Sequence, residues 1–433
     1  MIVASMPEEK KKGSIFSRLK EIVFGPPRDL QDTGVFHKIS LVPLLAWIGL
    51  GSDGLSSSAY GPDEAYRALG EHTYLAIFLA LGTAITIFII SACYSKIIEH
   101  FPHGGGGYVV ATHTLGEIPG LISGSALLVD YILTISVSIA SCGDSIFSFL
   151  DPALHHLKLP FEILIILFLI VLNIRGVKES ITILTPIFIT FVVTHTLLIG
   201  TGILEHASYV DAVAKNIKSN LDTNLKTIGL LGVLAIYFKA FSIGAGTFTG
   251  LEAVSNGLPT LREPRVENGK KTMRYMAISL AFTACGLYIC YLLYNLKPVE
   301  GMTLNSVLAN NVFSIFGDIG RLVAFITILS EGALLVVAAQ TGFIDGPRVM
   351  ANMAKDSWLP HMFINLSDRL TLKNGTLIVG ILALSILWYT RGNISVLVVM
   401  YSVNVFLTFT LSISGLAKRT FQSRKLSLIH ISE

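Results

Sequence analysis

Apolar residues along the chain gather into ten runs separated by short polar connectors. They cover roughly 41–70, 74–98, 119–150, 160–174, 181–204, 229–258, 273–296, 319–343, 375–390 and 394–416. Most have the length of a helix that crosses a bilayer, although the fourth and ninth are short. The longest connector, 205–228, carries Asp211, Asp222 and three lysines, and reads as an external loop. The pattern predicts an all-α polytopic membrane protein.

Two of the runs are interrupted. Gly51 to Gly61 reads Gly-Ser-Asp-Gly-Leu-Ser-Ser-Ser-Ala-Tyr-Gly, directly after the apolar run Leu41 to Leu50. Glycine loosens a helix and serine offers its backbone competing hydrogen bonds, so a break is expected over Gly51–Ser58. The sixth run is interrupted by Ser242-Ile-Gly-Ala-Gly-Thr-Phe-Thr-Gly250. Gly51, Gly54, Gly244, Gly246 and Gly250 are therefore expected to supply opened backbone. The breaks lie five spans apart, which gives them opposite topologies. Interrupted helices in corresponding positions of inverted halves point to a transporter's binding site, and opened backbone is tolerated there because it lines a cavity.

Composition supports the membrane reading. The chain is 52% hydrophobic and 14% charged, with mean hydropathy +0.66, whereas soluble domains carry about 25% charged residues. With the N-terminus inside, 23 of the 32 Lys and Arg residues fall on inner segments, as the positive-inside rule demands. This places the N-terminus in the cytoplasm, and the membrane is expected to be a bacterial-type inner membrane. Residues 1–38 read as a basic cytosolic leader, either a solvated tail or one with an amphipathic helix around Ile15–Phe24 on anionic lipid. The transporter core covers 39–417, with repeats roughly 41–204 and 229–416, and 418–433 reads as a truncated cytosolic tail. Cys93, Cys142, Cys285 and Cys290 lie in apolar runs without metal-ligand spacing and read as core residues.

The ionisable residues inside the spans carry the candidate chemistry. An ionised carboxylate in hydrocarbon costs about 2.5–3.5 kcal/mol even on the mild insertion scale, so such a residue is a site hypothesis by default. Asp53 sits in the first interruption. Asp130, Thr134 and Ser138 follow one another at four-residue spacing, which puts them on one helical stripe; the alternative is a packing stripe with one satisfied acid. Thr247, Thr249 and Glu252 stand at and beyond the second interruption, where Glu252 could instead cap or pair locally. Lys239 reads as a structural ion-pair partner, the alternatives being a counter-charge for an empty site or a snorkelling side chain. Tyr60 and Tyr401 could offer hydroxyls.

Enzyme motifs fail. His103 followed by Gly104–Gly107 resembles an oxyanion loop, but no Gly-x-Ser-x-Gly accompanies it, and the glycine run reads as a flexible inner gate or tight connector. Gly269-Lys-Lys-Thr272 lacks the upstream glycine of a phosphate loop. No cofactor, resident metal or nucleic-acid partner is expected.

Four motifs together resemble the amino acid–polyamine–organocation superfamily, and within it the KUP/KimA-type potassium importers. They are Asp53-Gly-Leu-Ser-Ser-Ser-Ala-Tyr-Gly61, Phe101-Pro-His-Gly-Gly-Gly-Gly-Tyr108, Leu128-Val-Asp-Tyr-Ile-Leu-Thr134 and Thr249-Gly-Leu-Glu-Ala-Val-Ser-Asn256. The resemblance covers roughly residues 38–417. It implies a LeuT-like fold of five-plus-five inverted repeats and proton-coupled uptake. It also implies a cation site at Asp53, Tyr60, Asp130, Thr134, Ser138, Thr249, Glu252 and Tyr401; of these, Asp130 and Glu252 are the proton-carrier candidates, because desolvation and a neighbouring acid favour the protonated form. Gly54 stands where the family usually has Ala, which should loosen the break further. The family's two peripheral helices and any C-terminal domain are missing here, which puts assembly as a homodimer and nucleotide regulation in doubt.

The charge pattern favours a cation. Asp53 would oppose a substrate carboxylate at a helix N-terminus, whereas two acids with hydroxyls and carbonyls can replace a cation's water. The expected partners are potassium or another monovalent cation, protons and the lipid bilayer. An amino acid or polyamine permease of the same fold is the first alternative, and a non-transporting sensor or inactive fragment the second.

Overall fold

The computed structural model describes residues 41–104, 106–176 and 181–431, so the basic leader lies outside the described residues. Helices dominate. In chain order they are α1 (Pro43–Ser56), α2 (Gly61–Ala68), α3 (Ala76–His100), α4 (Gly106–Leu115), α5 (Glu117–Phe147), α6 (Lys158–Arg175), α7 (Ile181–Glu205), α8 (Val210–Thr227), α9 (Gly229–Ile243), α10 (Ala253–Asn256), α11 (Arg265–Leu293), α12 (Leu304–Phe313), α13 (Gly317–Lys355), α14 (Lys373–Thr390) and α15 (Ile394–Ile431). Among the described residues nine helical segments are long and apolar enough to cross a membrane. The broken pair α1–α2 makes the tenth predicted span.

The first break falls later than its composition suggests. α1 stays helical through Gly51, Asp53 and Gly54 to Ser56. Its serines turn their hydroxyls back onto the helix: Ser52 Oγ donates to Ile48 O at 2.5 Å and Ser56 Oγ to Asp53 O at 2.7 Å. Ser57 and Ser58 continue the pattern to Gly54 O and Leu55 O. Serine thus meets its hydrogen-bonding needs inside the helix instead of opening it. Gly51 and Gly54 are therefore packing positions: a Cβ would lie 2.9 Å from Trp47 at the first and 3.5 Å from Met276 at the second. The chain departs from the α-helix only in the 3-10 turn Ser57–Ala59 and at Tyr60. Pro62 then sits at the start of α2, where its missing N–H costs nothing, with Asp63 and Glu64 at the positive end of the helix.

The second break behaves as expected. A 3-10 turn spans Gly244–Phe248, Thr249 is extended, and Gly250 has φ +80°. The two breaks cross backbone against backbone. A Cβ on Gly250 would overlap Gly54 N and lie 2.8 Å from Asp53 C, and one on Gly61 would overlap Thr247. Ser57 Oγ bridges the crossing to Thr247 O at 2.9 Å. At one end of the bundle a short parallel pairing, Leu41 N to Thr260 O and Arg262 N to Leu41 O, ties the two halves together again.

α5 is the most enclosed span and packs along α13 and α15. The connector 205–228 is not a loop: it forms α8, whose Ile217, Leu221 and Leu225 recur every four residues and pack on the core. Its high polarity disguised a helix with one narrow apolar stripe. Several helices outrun their apolar runs, notably α13 to Lys355, and α15 crosses the expected 417 boundary without interruption. Lys239 is exposed on α9 and forms no salt bridge among the described residues, so it is not a structural ion-pair partner.

If close backbone approach is what Gly250 provides, Gly250→Ala should lower thermal stability in detergent markedly. It combines a left-handed φ with a steric overlap, together on the order of 2–4 kcal/mol. Gly317→Ala shares the positive φ (+59°) but faces open space, and should cost only about 1–2 kcal/mol. Equal melting-temperature losses would show that the crossing tolerates a side chain.

Candidate functional site

The crossing brings together residues from α1, α5, α15 and both breaks. Asp53, Tyr60, Asp130, Thr134, Ser138, Thr249, Glu252 and Tyr401 are all buried. Thr134 Oγ1 donates to Asp130 O one turn back at 2.9 Å and lies 2.7 Å from Tyr401 OH, so the tyrosine supplies the proton of that second bond. The Tyr401 and Tyr60 rings stand 6.5 Å apart, and Gly246 packs against both, where a Cβ would lie 2.9 Å from Tyr60 Cε2. Thr249 Oγ1 returns to Gly246 O at 2.8 Å and holds the second break in shape. Ser138 lies one turn beyond Thr134 and makes no side-chain hydrogen bond with the other seven residues.

Three acids converge. Asp130 lies within electrostatic reach of both Glu252 and Asp53, and Glu252 within reach of Asp345 on α13. Asp130 Oδ1, Glu252 Oε2 and Thr247 Oγ1 are buried without a hydrogen-bond partner among the described residues. Buried polar oxygens are almost always bonded, so these three mark the crossing as the place where the protein's own hydrogen bonding is least complete. Carboxylates at this depth also require balancing cations or protons. The donor set is oxygen throughout: carboxylates, hydroxyls and the carbonyls of two breaks.

One end of the bundle opens to a cavity. A cavity of about 300 Å³ opens at the end of the bundle that carries the 296–303 and 391–393 connections. Ala59 and Tyr60 form part of its lining, so the tyrosine stands between the cavity and the site. Asp63 and Glu64 from α2, Asp144 from α5 and Glu300 make the vestibule acidic, with Arg67 and Lys158 as its bases. Toward the opposite end, polar contacts link the helices among the described residues. Asn256 Nδ2 donates to Tyr131 OH at 2.6 Å, Tyr108 OH to Asp356 at 2.5 Å, and Lys270 pairs with Glu99. The glycine run lies here. Gly104 and Gly106 have positive φ, and a Cβ at Gly106 would overlap the Asn256 side chain. Of the two expectations for this run, tight connector fits Gly104, Gly106 and Gly107; Gly105 lies outside the described residues.

Four buried acids escaped the sequence reading, Asp63, Asp345, Glu331 and Glu162, the last two of them completely buried. Glu331 on α13 is fully buried and accepts from Ser145 Oγ at 3.0 Å and Asn305 Nδ2 at 2.8 Å, with His195 Nε2 at 3.3 Å. Glu162 on α6 is equally buried. Both are acids within apolar runs, the same signal that singled out Asp130.

The hydroxyl pair should be measurable. In a double-mutant cycle of Thr134→Val and Tyr401→Phe, a coupling of about 0.5–1.5 kcal/mol in ligand affinity is expected. Additive losses would mean that the 2.7 Å contact does not order the site.

Residues 47–429 match the amino acid permease family model. The chain is 34% identical over 417 residues to the potassium transporter KimA of Bacillus subtilis (strain 168), covering 95% of this chain and 66% of that protein. It is 26% identical over 362 residues to the vacuolar cationic amino acid transporter 4 of Arabidopsis thaliana, covering 78% of this chain and 56% of that one. The chain thus spans just under two thirds of the first relative's length and little more than half of the second's. A multi-pass helical membrane architecture and a family match over most of its length make this chain a member of the amino acid permease family.

Proposed function

We propose that the protein is a secondary transporter that takes up a monovalent cation, potassium, together with protons. The observation that carries this reading is the convergence of Asp130, Glu252 and Asp53 around the crossing, with unpartnered oxygens on the first two. An alkali cation fits an all-oxygen set in which hydroxyls, carbonyls and carboxylates replace its water. A zwitterionic amino acid brings a carboxylate of its own, which three acids would repel. The name of the KimA relative supports potassium.

In this reading the vestibule is the outer approach and Tyr60 the barrier above the site. Asp53, Tyr60, Thr134, Thr249 and Tyr401 surround the cation, Ser138 lies along its path, and Asp130 or Glu252 exchanges a proton in each cycle. Opening the Asn256–Tyr131 and Tyr108–Asp356 contacts would release the cation inward. The fold is read as LeuT-like inverted repeats, in a bacterial-type inner membrane with a cytoplasmic N-terminus.

A second reading is uptake of a cationic amino acid, whose side-chain charge the same acids could receive. The name of the Arabidopsis thaliana relative favours it. Rubidium flux in proteoliposomes separates the two. Under the potassium reading, rubidium is transported, an inward proton gradient accelerates it, and sodium and a mixture of amino acids do not compete. Arginine or lysine uptake without rubidium flux would replace the substrate. Asp53→Asn should abolish uptake and Asp130→Asn should weaken or abolish it, with folding retained, because each removes a buried charge without changing shape. Near-normal uptake by well-expressed Asp53→Asn protein would remove Asp53 from the site.

A further inference from the structure

The vestibule wall contains an arrangement that the central site does not use. Lys158 Nζ, at the start of α6, bonds Asp144 Oδ1. It also lies 3.4 Å from the Gly392 carbonyl oxygen and 3.8 Å from Glu162 Oε1. One ammonium group therefore stands among two carboxylates and a carbonyl. Glu162 is the unusual member. Its side chain is 0% exposed, and neither carboxylate oxygen has a hydrogen-bond partner among the described residues. A carboxylate so far from water normally accepts several hydrogen bonds.

Glycine makes room for it. A Cβ at Gly143 would overlap Glu162 Oε1, and a Cβ at Gly392, whose φ is +65°, would overlap Oε2. The carboxylate is thus cradled between two stretches of bare backbone, with the Lys158 ammonium as its nearest basic group. Asp144, Lys158 and Gly392 all line the vestibule cavity. The Lys158 side chain is 22% exposed, so its ammonium borders open space.

The chemistry of this oxygen set is that of an alkali-cation site. Ammonium and potassium carry the same charge and are similar in size. Lysine presents its charge as a compact point on a flexible four-carbon stem, so it can occupy such a place and leave it again. Arg67, the vestibule's other base, is held differently: it pairs with Asp63 and donates to Met302 O at 3.0 Å.

We infer that Asp144, Glu162 and the Gly392 carbonyl form a monovalent-cation subsite, held by the Lys158 ammonium until an arriving cation displaces it. Its role in uptake rests on the cation reading above; its existence as a binding site does not. The cation exchanges part of its water for carboxylate and carbonyl oxygens here, one step before Tyr60.

The test counts rubidium bound at equilibrium to the purified full chain. Lys158→Gln removes the resident charge and should bind about one more rubidium ion per chain than the parent, by simple mass action. Lys158→Gln/Glu162→Gln should lose that extra ion. No gain in a folded Lys158→Gln protein would overturn the subsite. The parent chain provides an independent readout if that variant does not fold. Rubidium should raise the labelling of Lys158 by an amine-reactive reagent severalfold over choline, read by mass spectrometry, while the exposed Lys297 stays unchanged. Labelling of Lys158 that is indifferent to rubidium would make it a fixed structural ion pair. Central binding is scored separately through Asp53→Asn. A parent that binds no rubidium beside a Lys158→Gln protein that binds one ion would sink the potassium reading and keep the subsite.

Discussion

The protein depends on a place where the second helix break packs against the last turns of α1 and against the first break. Gly250 lies against Gly54 and Asp53, Gly61 against Thr247, and Ser57 bridges to the Thr247 carbonyl. Backbone can approach backbone this closely only where at least one partner lacks a side chain. Inside a bilayer the freed carbonyls also need partners, and irregular backbone survives only where protein or a polar cavity supplies them. The crossing meets both conditions. It also delivers Asp53, Tyr60, Thr249 and Glu252 to a common region that α5 and α15 then enclose with Asp130, Thr134 and Tyr401.

The charge arrangement follows from that enclosure. Asp130, Glu252 and Asp53 are buried, with Asp130 within electrostatic reach of the other two, and Asp345 acts on Glu252 in the same way. Like charges held together out of water are unstable unless a cation or protons join them. The asymmetric ends complete the device. An acidic vestibule reaches Tyr60 from one side, while the Asn256–Tyr131 and Tyr108–Asp356 bonds link the helices toward the other.

Much of this was legible before any coordinates. Acids, glycines and hydroxyl residues are rare inside apolar runs, so Asp53, Asp130, Glu252 and the Gly244–Gly250 interruption stand out. Where the reading slipped, the competing physics is identifiable. Serines expected to open α1 instead bond back to carbonyls three and four residues earlier, which moved the break to Ser57–Tyr60. The polar 205–228 segment hid a helix because its apolar stripe is one residue wide per turn. Lys239 looked like an ion-pair partner because an unpaired charge in a span is costly, yet it faces outward.

The sequence by itself determined the ten spans, the two interruptions and the set of oxygen-bearing side chains, because hydropathy and helix periodicity are local properties of the chain. Only the tertiary structure decided which of those oxygens meet. The Thr134–Tyr401 bond joins residues 267 positions apart. The orphaned oxygens of Asp130, Thr247 and Glu252 become informative only once burial is known. Glu162, Gly143 and Gly392 show no shared pattern along the chain, yet packing of α5, α6 and the turn before α15 makes them one cradle around Lys158. Contacts of that kind depend on how helices pack against one another, and no local periodicity encodes them.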